Sequence, residues 1–177
     1  MHSLVRIMVA LVAVTVVAGC GGGGDPGTLV PPPTAAPTGS TGGSPTAPPA
    51  LSEAEAATRY LGIVRPYNEA LEQFELAING GDDLATLTGM ASDTADALET
   101  EIGELLATSW PEAISAHVDA LVSESEQALE HWQEAAQAQT RDDLVDSVLA
   151  AAEFDGSDPA GSIREILNLD AYDEDDY

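Results

Sequence analysis

The chain has 177 residues, with 31 acidic residues, five arginines and no lysine, which gives a formal net charge of −26. This charge argues against nucleic-acid binding, because attraction to phosphate needs clustered basic side chains. It also argues against a domain that lies flat on anionic lipid. Divalent cations or a basic partner are the natural counterparts of such a surface, although solubility alone would also explain it.

The first 19 residues have the pattern of a secretory signal peptide. Arg6 and the amino terminus supply positive charge, and an apolar run extends from Ile7 to Ala18. A membrane-spanning helix needs about 20 apolar residues, so this run is too short to span a bilayer. Its length fits the apolar core of a signal peptide. We therefore predict a signal peptide at residues 1–19.

The end of this run contains the only cysteine of the chain, in the order Val17-Ala18-Gly19-Cys20. An aliphatic residue, two small residues and a cysteine resemble the lipobox of bacterial lipoproteins. The resemblance implies that the Cys20 thiol receives a diacylglycerol, that a peptidase cuts before it, and that the new amino terminus is acylated. An ordinary cleaved signal and an uncleaved anchor with a chance cysteine are the alternatives.

Residues 20–50 are predicted to be the lipidated cysteine followed by a disordered tether. Gly, Pro, Ser, Thr and Ala dominate this segment, and such a composition buries too little apolar surface to offset the entropy of ordering. The lack of lysine beside abundant Ala and Gly resembles secreted lipoproteins of actinobacteria. We expect the protein at the extracytoplasmic face of the cell membrane, attached to the bilayer through Cys20.

The remaining sequence predicts an all-α domain at residues 51–169 and an acidic disordered tail at 170–177. Apolar residues recur at helical spacing, and no segment alternates as a β-strand does. Short connections between helices of similar length favour an antiparallel bundle of about four helices plus a short C-terminal helix.

The first predicted helix begins at a capping box formed by Ser52 and Glu55, bends at Pro66 and ends near Gly81. Tyr60 and Tyr67 lie beside its predicted buried stripe. That stripe consists of Ala57, Leu61, Val64, Leu71, Phe74 and Ile78.

The second helix is predicted to start at Asp82 or Asp83, and the third at Ser109 as its cap, ending near Gln139. The second is expected to bury Leu84, Leu87, Ala91, Thr94, Leu98, Ile102 and Leu105. The third is expected to bury Trp110, Ile114, Val118, Leu121, Val122, Leu129 and Trp132.

A fourth helix is predicted from Thr140, with Asp143 as the other half of its cap. Asp158-Pro159 is expected to start the short last helix. The fourth helix is expected to bury Leu144, Val145, Val148 and Leu149, and the last one Ile163, Ile166 and Leu167.

Two groups of residues are candidate sites. The first is a partner-binding segment around Pro66, because Arg and Tyr are favoured at binding hot spots; it comprises Arg59, Tyr60, Arg65, Tyr67 and Asn68. The second is a carboxylate stripe at four-residue spacing, whose oxygens would suit Ca²⁺ or Mg²⁺; it comprises Glu126, Glu130 and Glu134, with His131 beside them. Packing and solvation are the alternative explanations of both groups.

No motif of a catalytic site or cofactor site stands out in the sequence. A di-iron bundle would need Glu-x-x-His, but the residues three before His117 and His131 are Ile114 and Ala128. The 155–165 segment fails the order of an EF-hand loop, and no nucleophile motif is present. We expect a non-catalytic binding or interaction module of the cell envelope without a cofactor, and a cation- or small-ligand-binding lipoprotein as the alternative.

Overall fold

The computed structural model describes residues 50–169. The predicted signal peptide, the lipidation site Cys20, most of the tether and the acidic tail lie outside these residues. The described part is all-α, as predicted. Its helices are α1 (Glu53–Gly80), α2 (Leu84–Ala107), α3 (Glu112–Ala136), α4 (Arg141–Ala151) and α5 (Ser157–Ile166), with a 3-10 turn at Ala152–Phe154 before α5.

These helices form an antiparallel bundle with α3 at its centre. Helix α3 packs against α2, α4 and α5, whereas α1 packs mainly on α2. Alanines bring the backbones close, and a few large side chains fill the space between them. The rings of Phe74 and Trp132 meet edge to face, with centroids 5.1 Å apart, and join α1 to α3.

Three of the predicted helix starts are confirmed. Ser52 and Glu55 form the reciprocal capping box of α1. The side chains of Asp83 and Thr140 cap α2 and α4, each accepting a hydrogen bond from the backbone N–H three residues further on. These side chains satisfy N–H groups that have no partner within the helix.

The predicted end of α1 is also confirmed. Gly81 has φ 83° and ψ 26°, and its N–H donates to the carbonyls of Ala77 and Ile78. Glycine adopts this left-handed conformation without steric cost. The helix runs without a break through Pro66, which is exposed, and Gly62 one turn before it faces open space.

The predicted start of α3 at Ser109 is wrong. The helix begins at Glu112, with Pro111 at the cap position and no side-chain cap. Ser109 instead belongs to the preceding loop, where its carbonyl accepts the N–H of Leu51 at 3.1 Å. The helix ends at Ala136, slightly earlier than predicted.

The buried faces differ from the predicted stripes at their edges. In α1 the fully buried residues are Ala56, Tyr60, Ile63, Val64 and Phe74, so the face is rotated from the predicted one. In α4 the prediction for Leu149 is wrong, because its side chain is 46% exposed. In α2 the predicted stripe is buried except for the half-buried Leu84.

Helix α5 begins one residue earlier than predicted. Gly156 occupies its N-cap with φ 66°, and Ser157 is the first helical residue. A Cβ atom built on Gly156 would lie 2.6 Å from Cδ1 of Leu121 on α3. Both the backbone conformation and the close approach to α3 therefore require glycine here.

Candidate functional site

The structure divides the predicted partner-binding segment between the surface and the interior. Arg59 and Arg65 are exposed, and Asn68 is half-buried. Tyr60 lies in the core with 1% of its surface exposed. Tyr67 is half-buried and bonds to α3, so only the arginines and Asn68 offer side chains to a partner.

One of the two arginines already has an intramolecular partner. The Nη2 atom of Arg59 lies 3.3 Å from Oε2 of Glu104, and both side chains are about half exposed. Such exposed pairs contribute little to stability because water and salt screen them. Arg59 could therefore exchange this partner for an external acidic group at small cost.

A shallow groove lies between α1 and α2 beside Arg65. Its volume is about 230 Å³, and it is lined in part by Pro66, Gln73, Met90 and Asp93. Polar and apolar side chains alternate in this lining. Pro66 lies within the predicted partner-binding segment, so this segment contributes to the wall of the groove.

The predicted carboxylate stripe lies on the exposed side of α3. Glu126, Glu130 and Glu134 are exposed, and Nδ1 of His131 lies 3.0 Å from Oε2 of Glu134. The His131 ring also stacks on Phe154 with centroids 6.0 Å apart. Within residues 50–169 no three His, Cys, Asp or Glu side chains come together as metal ligands.

A second acidic surface surrounds the turn before α5. Glu124, Glu153, Asp155 and Asp158 line a shallow cleft there. Two of these carboxylates are used by the fold: Oε2 of Glu124 accepts the N–H of Gly156 at 3.1 Å, and Oδ1 of Asp155 accepts the N–H of Ser157 at 2.9 Å. Their first role is therefore to fix the turn.

Two side-chain oxygens of the described residues are buried without a hydrogen-bond partner, Oε1 of Glu72 and Oε2 of Glu101, and Glu101 on α2 is the more deeply buried residue. Glu101 is 4% exposed. Burial raises the pKa of Glu101 to about 8, because the apolar surroundings disfavour the charged carboxylate. The side chain is therefore mostly protonated at neutral pH.

Tyr67 of α1 interacts electrostatically with Glu101. Burial raises the pKa of the Tyr67 hydroxyl, and the negative charges of Glu101 and Asp155 add to this effect. The hydroxyl accepts a hydrogen bond from Nε1 of Trp132 at 3.2 Å. Tyr67 therefore connects α3 to the region of the buried carboxyl group on α2.

Glu101 was not among the predicted site residues, although the helical pattern contained a signal. Position 101 lies three residues after Leu98 and four before Leu105, both of which belong to the predicted buried stripe. The period of the helix thus places residue 101 on the same face. Because the chain contains many acidic residues, the presence of a glutamate at position 101 did not by itself distinguish this residue.

None of the helices within residues 50–169 combines the length and the apolar character that a bilayer-spanning helix requires. Comparisons with models of protein families, with curated proteins and with solved structures found no match.

Proposed function

We propose that the protein is a lipid-anchored extracytoplasmic lipoprotein whose helical bundle is a non-catalytic interaction module of the cell envelope. The observation that carries this proposal is the position of the only cysteine. Cys20 follows a short apolar run and two small residues, and a Gly- and Pro-rich segment separates it from Ser52, where the bundle begins.

Lipidation at Cys20 would hold the bundle near the bilayer without a spanning helix. Each buried CH₂ group of an acyl chain contributes about 0.8 kcal/mol, so two or more chains give a stable anchor. The bundle has 25 acidic residues and four arginines between residues 50 and 169. Repulsion from anionic lipid would keep it away from the surface, where envelope partners can reach it.

The location is tested by fractionating cells that express either the wild-type protein or Cys20→Ala, with Gly21→Ala as the matched control. We expect the wild type and the control in the membrane fraction, and Cys20→Ala in the soluble fraction or as an unprocessed precursor. Mass spectrometry should find a diacylglyceryl group on an N-terminal Cys20. An unmodified cysteine, or membrane retention of processed Cys20→Ala, would contradict the proposal.

The candidate partner surface is the exposed part of the segment from Arg59 to Asn68. Chemical cross-linking in intact cells would identify the envelope protein that meets it. We expect Arg59→Ala with Arg65→Ala to reduce the cross-linked product, and Glu126→Ala with Glu130→Ala, on the exposed side of α3, to leave it unchanged. If both double variants give the same yield of cross-linked product, this surface does not bind the partner.

Cation binding is the second candidate function and has weaker support. The predicted stripe of Glu126, Glu130, Glu134 and His131 lies on the surface, but its members do not converge on one point. A cation site would make millimolar Ca²⁺ raise the melting temperature more than an equal ionic strength of Na⁺ does. An identical response to both salts would dismiss this candidate.

A further inference from the structure

We propose that the carboxyl group of Glu101 is a proton-controlled latch, which keeps α1 closed on α2 while protonated and lets this interface open when it ionises. The latch is independent of how the protein is anchored. It is carried by the burial of Glu101, by its unpartnered oxygen and by the way α1 is attached to the bundle.

The surroundings of the Glu101 carboxyl group disfavour its charged form. Glu101 is 4% exposed, and its Oε2 has no hydrogen-bond partner among the described residues. A neutral carboxylic acid tolerates such a place far better than a carboxylate, because a buried charge without a partner is strongly disfavoured. Loss of the proton therefore favours any conformation in which water reaches Oε2.

Burial is the cause that raises the pKa of Glu101, and no positive neighbour offsets it. On α1, Tyr67 interacts with Glu101 but is uncharged, and Arg59 is paired with Glu104 in a half-exposed ion pair. The buried residues of α3 include no titratable side chain. They are Ile114, Val118, Leu121, Val122, Ser125, Ala128, Trp132 and Ala135.

Three half-buried titratable residues of α3, His117, Glu124 and His131, flank this buried set, and His131 lies against Glu134. Glu124 is negative and is bonded to the N–H of Gly156. An ionised Glu101 would thus gain no buried positive charge from α3. Water is the solvating group that a movement of α1 can provide.

The arrangement of the helices also favours a movement of α1. Helix α3 is held by α2, α4 and α5, whereas α1 packs mainly on α2. Separation of α1 from α2 would therefore expose Glu101. It would break the contacts of Tyr67 and Phe74 with Trp132, while the contacts of α3 with α2, α4 and α5 would stay in place. Helix α1 is also the helix that follows the predicted tether, so the opening would change how the bundle is presented.

The size of the effect follows from linkage between protonation and opening. Burial raises the pKa of Glu101 from its ordinary 4.5 to about 8 in the closed state. Between pH 4.5 and about pH 8 the Glu101 carboxyl group is ionised in the open state and protonated in the closed state. The equilibrium constant for opening therefore rises about tenfold per pH unit in this range and levels off above it.

The latch can be tested by measuring two interhelical distances in the full-length protein as a function of pH. Spin labels on Glu69→Cys and Asp96→Cys report on α1 and α2, and labels on Gln133→Cys and Asp146→Cys report on α3 and α4. All four positions are exposed. The native cysteine is blocked by its lipid or, in an unlipidated preparation, replaced by serine.

We expect the distance between α1 and α2 to gain a longer population between pH 6 and pH 9, while the α3–α4 distance stays constant. Glu101→Gln, which cannot ionise, should keep the short distance throughout, and Glu99→Gln on the exposed side of α2 should behave like the wild type. Circular dichroism at pH 6 confirms that each variant is folded.

Three results would overturn the latch. They are an α1–α2 distance that does not change up to pH 9, an equal change in Glu101→Gln, and a simultaneous change in both distances, which would indicate unfolding of the whole bundle. If Glu101→Gln does not fold, Glu101→Leu replaces it, because leucine is likewise uncharged and suits an apolar site. Membrane fractionation of Cys20→Ala remains a separate test of the anchor.

Discussion

The indole Nε1 of Trp132 donates a hydrogen bond to the hydroxyl of Tyr67 at 3.2 Å, across 65 residues of sequence. It joins α1 to α3, two helices that are not the main neighbours of each other. The edge-to-face contact of Phe74 with the same indole adds to this connection. Trp132 is therefore the residue through which the central helix holds the outer one.

Removing the hydroxyl of this pair should destabilise the bundle. Tyr67→Phe leaves the buried Trp132 N–H without a partner, which costs about 1–3 kcal/mol of the free energy of unfolding. Urea unfolding followed by circular dichroism measures this cost. Trp132→Phe and the double variant complete a thermodynamic cycle, and a coupling energy of zero would show that the hydrogen bond contributes nothing.

The stability of the protein should fall as the pH rises from about 5 to about 8. The raised pKa of Glu101 means that the unfolded state binds fewer protons than the folded state in this range. The free energy of unfolding should therefore decrease by up to about 1.4 kcal/mol per pH unit, with most of the loss complete above the folded pKa.

Glu101→Gln separates this effect from the repulsion between surface acids. The variant should be less sensitive to pH than the wild type, and Glu99→Gln, which changes an exposed acid of α2, should keep the wild-type slope. The measurement is urea unfolding at pH 5, 6, 7 and 8 at constant ionic strength. If the free energy of unfolding depends on pH in the same way for the wild type and for Glu101→Gln, Glu101 is ionised in the folded protein.

The parts of the fold that depend on local chemistry were predictable from the sequence. The caps at Ser52, Asp83 and Thr140 and the stop at Gly81 each involve residues within one turn of the helix end. The helical period also gave most of the buried residues. The cap at Ser109 failed because Pro111 disfavours helical backbone at Trp110, so that the helix begins only at Glu112.

The candidate sites were harder to predict than the fold. Arg59 and Tyr60 are neighbours in sequence, yet one is exposed and the other is in the core, because adjacent helical positions point about 100° apart. The sequence does not single out Glu101, because its burial depends on how other helices pack on α2. A residue type common on the surface does not indicate by itself that it is buried.

The cap of α2 offers a test of local stability. Oδ1 of Asp83 accepts the N–H of Thr86 at 2.8 Å, and this hydrogen bond lowers the pKa of the Asp83 carboxyl group. Asp83→Ala should lower the midpoint of urea unfolding, followed by circular dichroism, because the N–H of Thr86 loses its cap. Asp82→Ala is the matched control, because it removes the adjacent carboxylate outside the helix. An equal loss of stability in both variants would mean that the removed negative charge, and not the removed cap, is the cause.

The turn before α5 should tolerate no side chain at its glycine. A Cβ atom on Gly156 would lie 2.6 Å from Cδ1 of Leu121, and its φ of 66° is unfavourable for alanine. Left-handed strain of about 1–2 kcal/mol and overpacking of about 1–3 kcal/mol should both reduce the stability of Gly156→Ala. Thermal unfolding followed by circular dichroism measures the loss.

Gly103→Ala is the matched control for this substitution. Gly103 lies within α2 with open space around its Cβ position. Alanine there should stabilise the helix by about 0.5–1 kcal/mol, since glycine loses more backbone entropy on folding. Opposite shifts in melting temperature are therefore expected from the same chemical change at two positions. A neutral Gly156→Ala would mean that α5 can move away from Leu121 without cost, and that the turn does not hold α5 against α3.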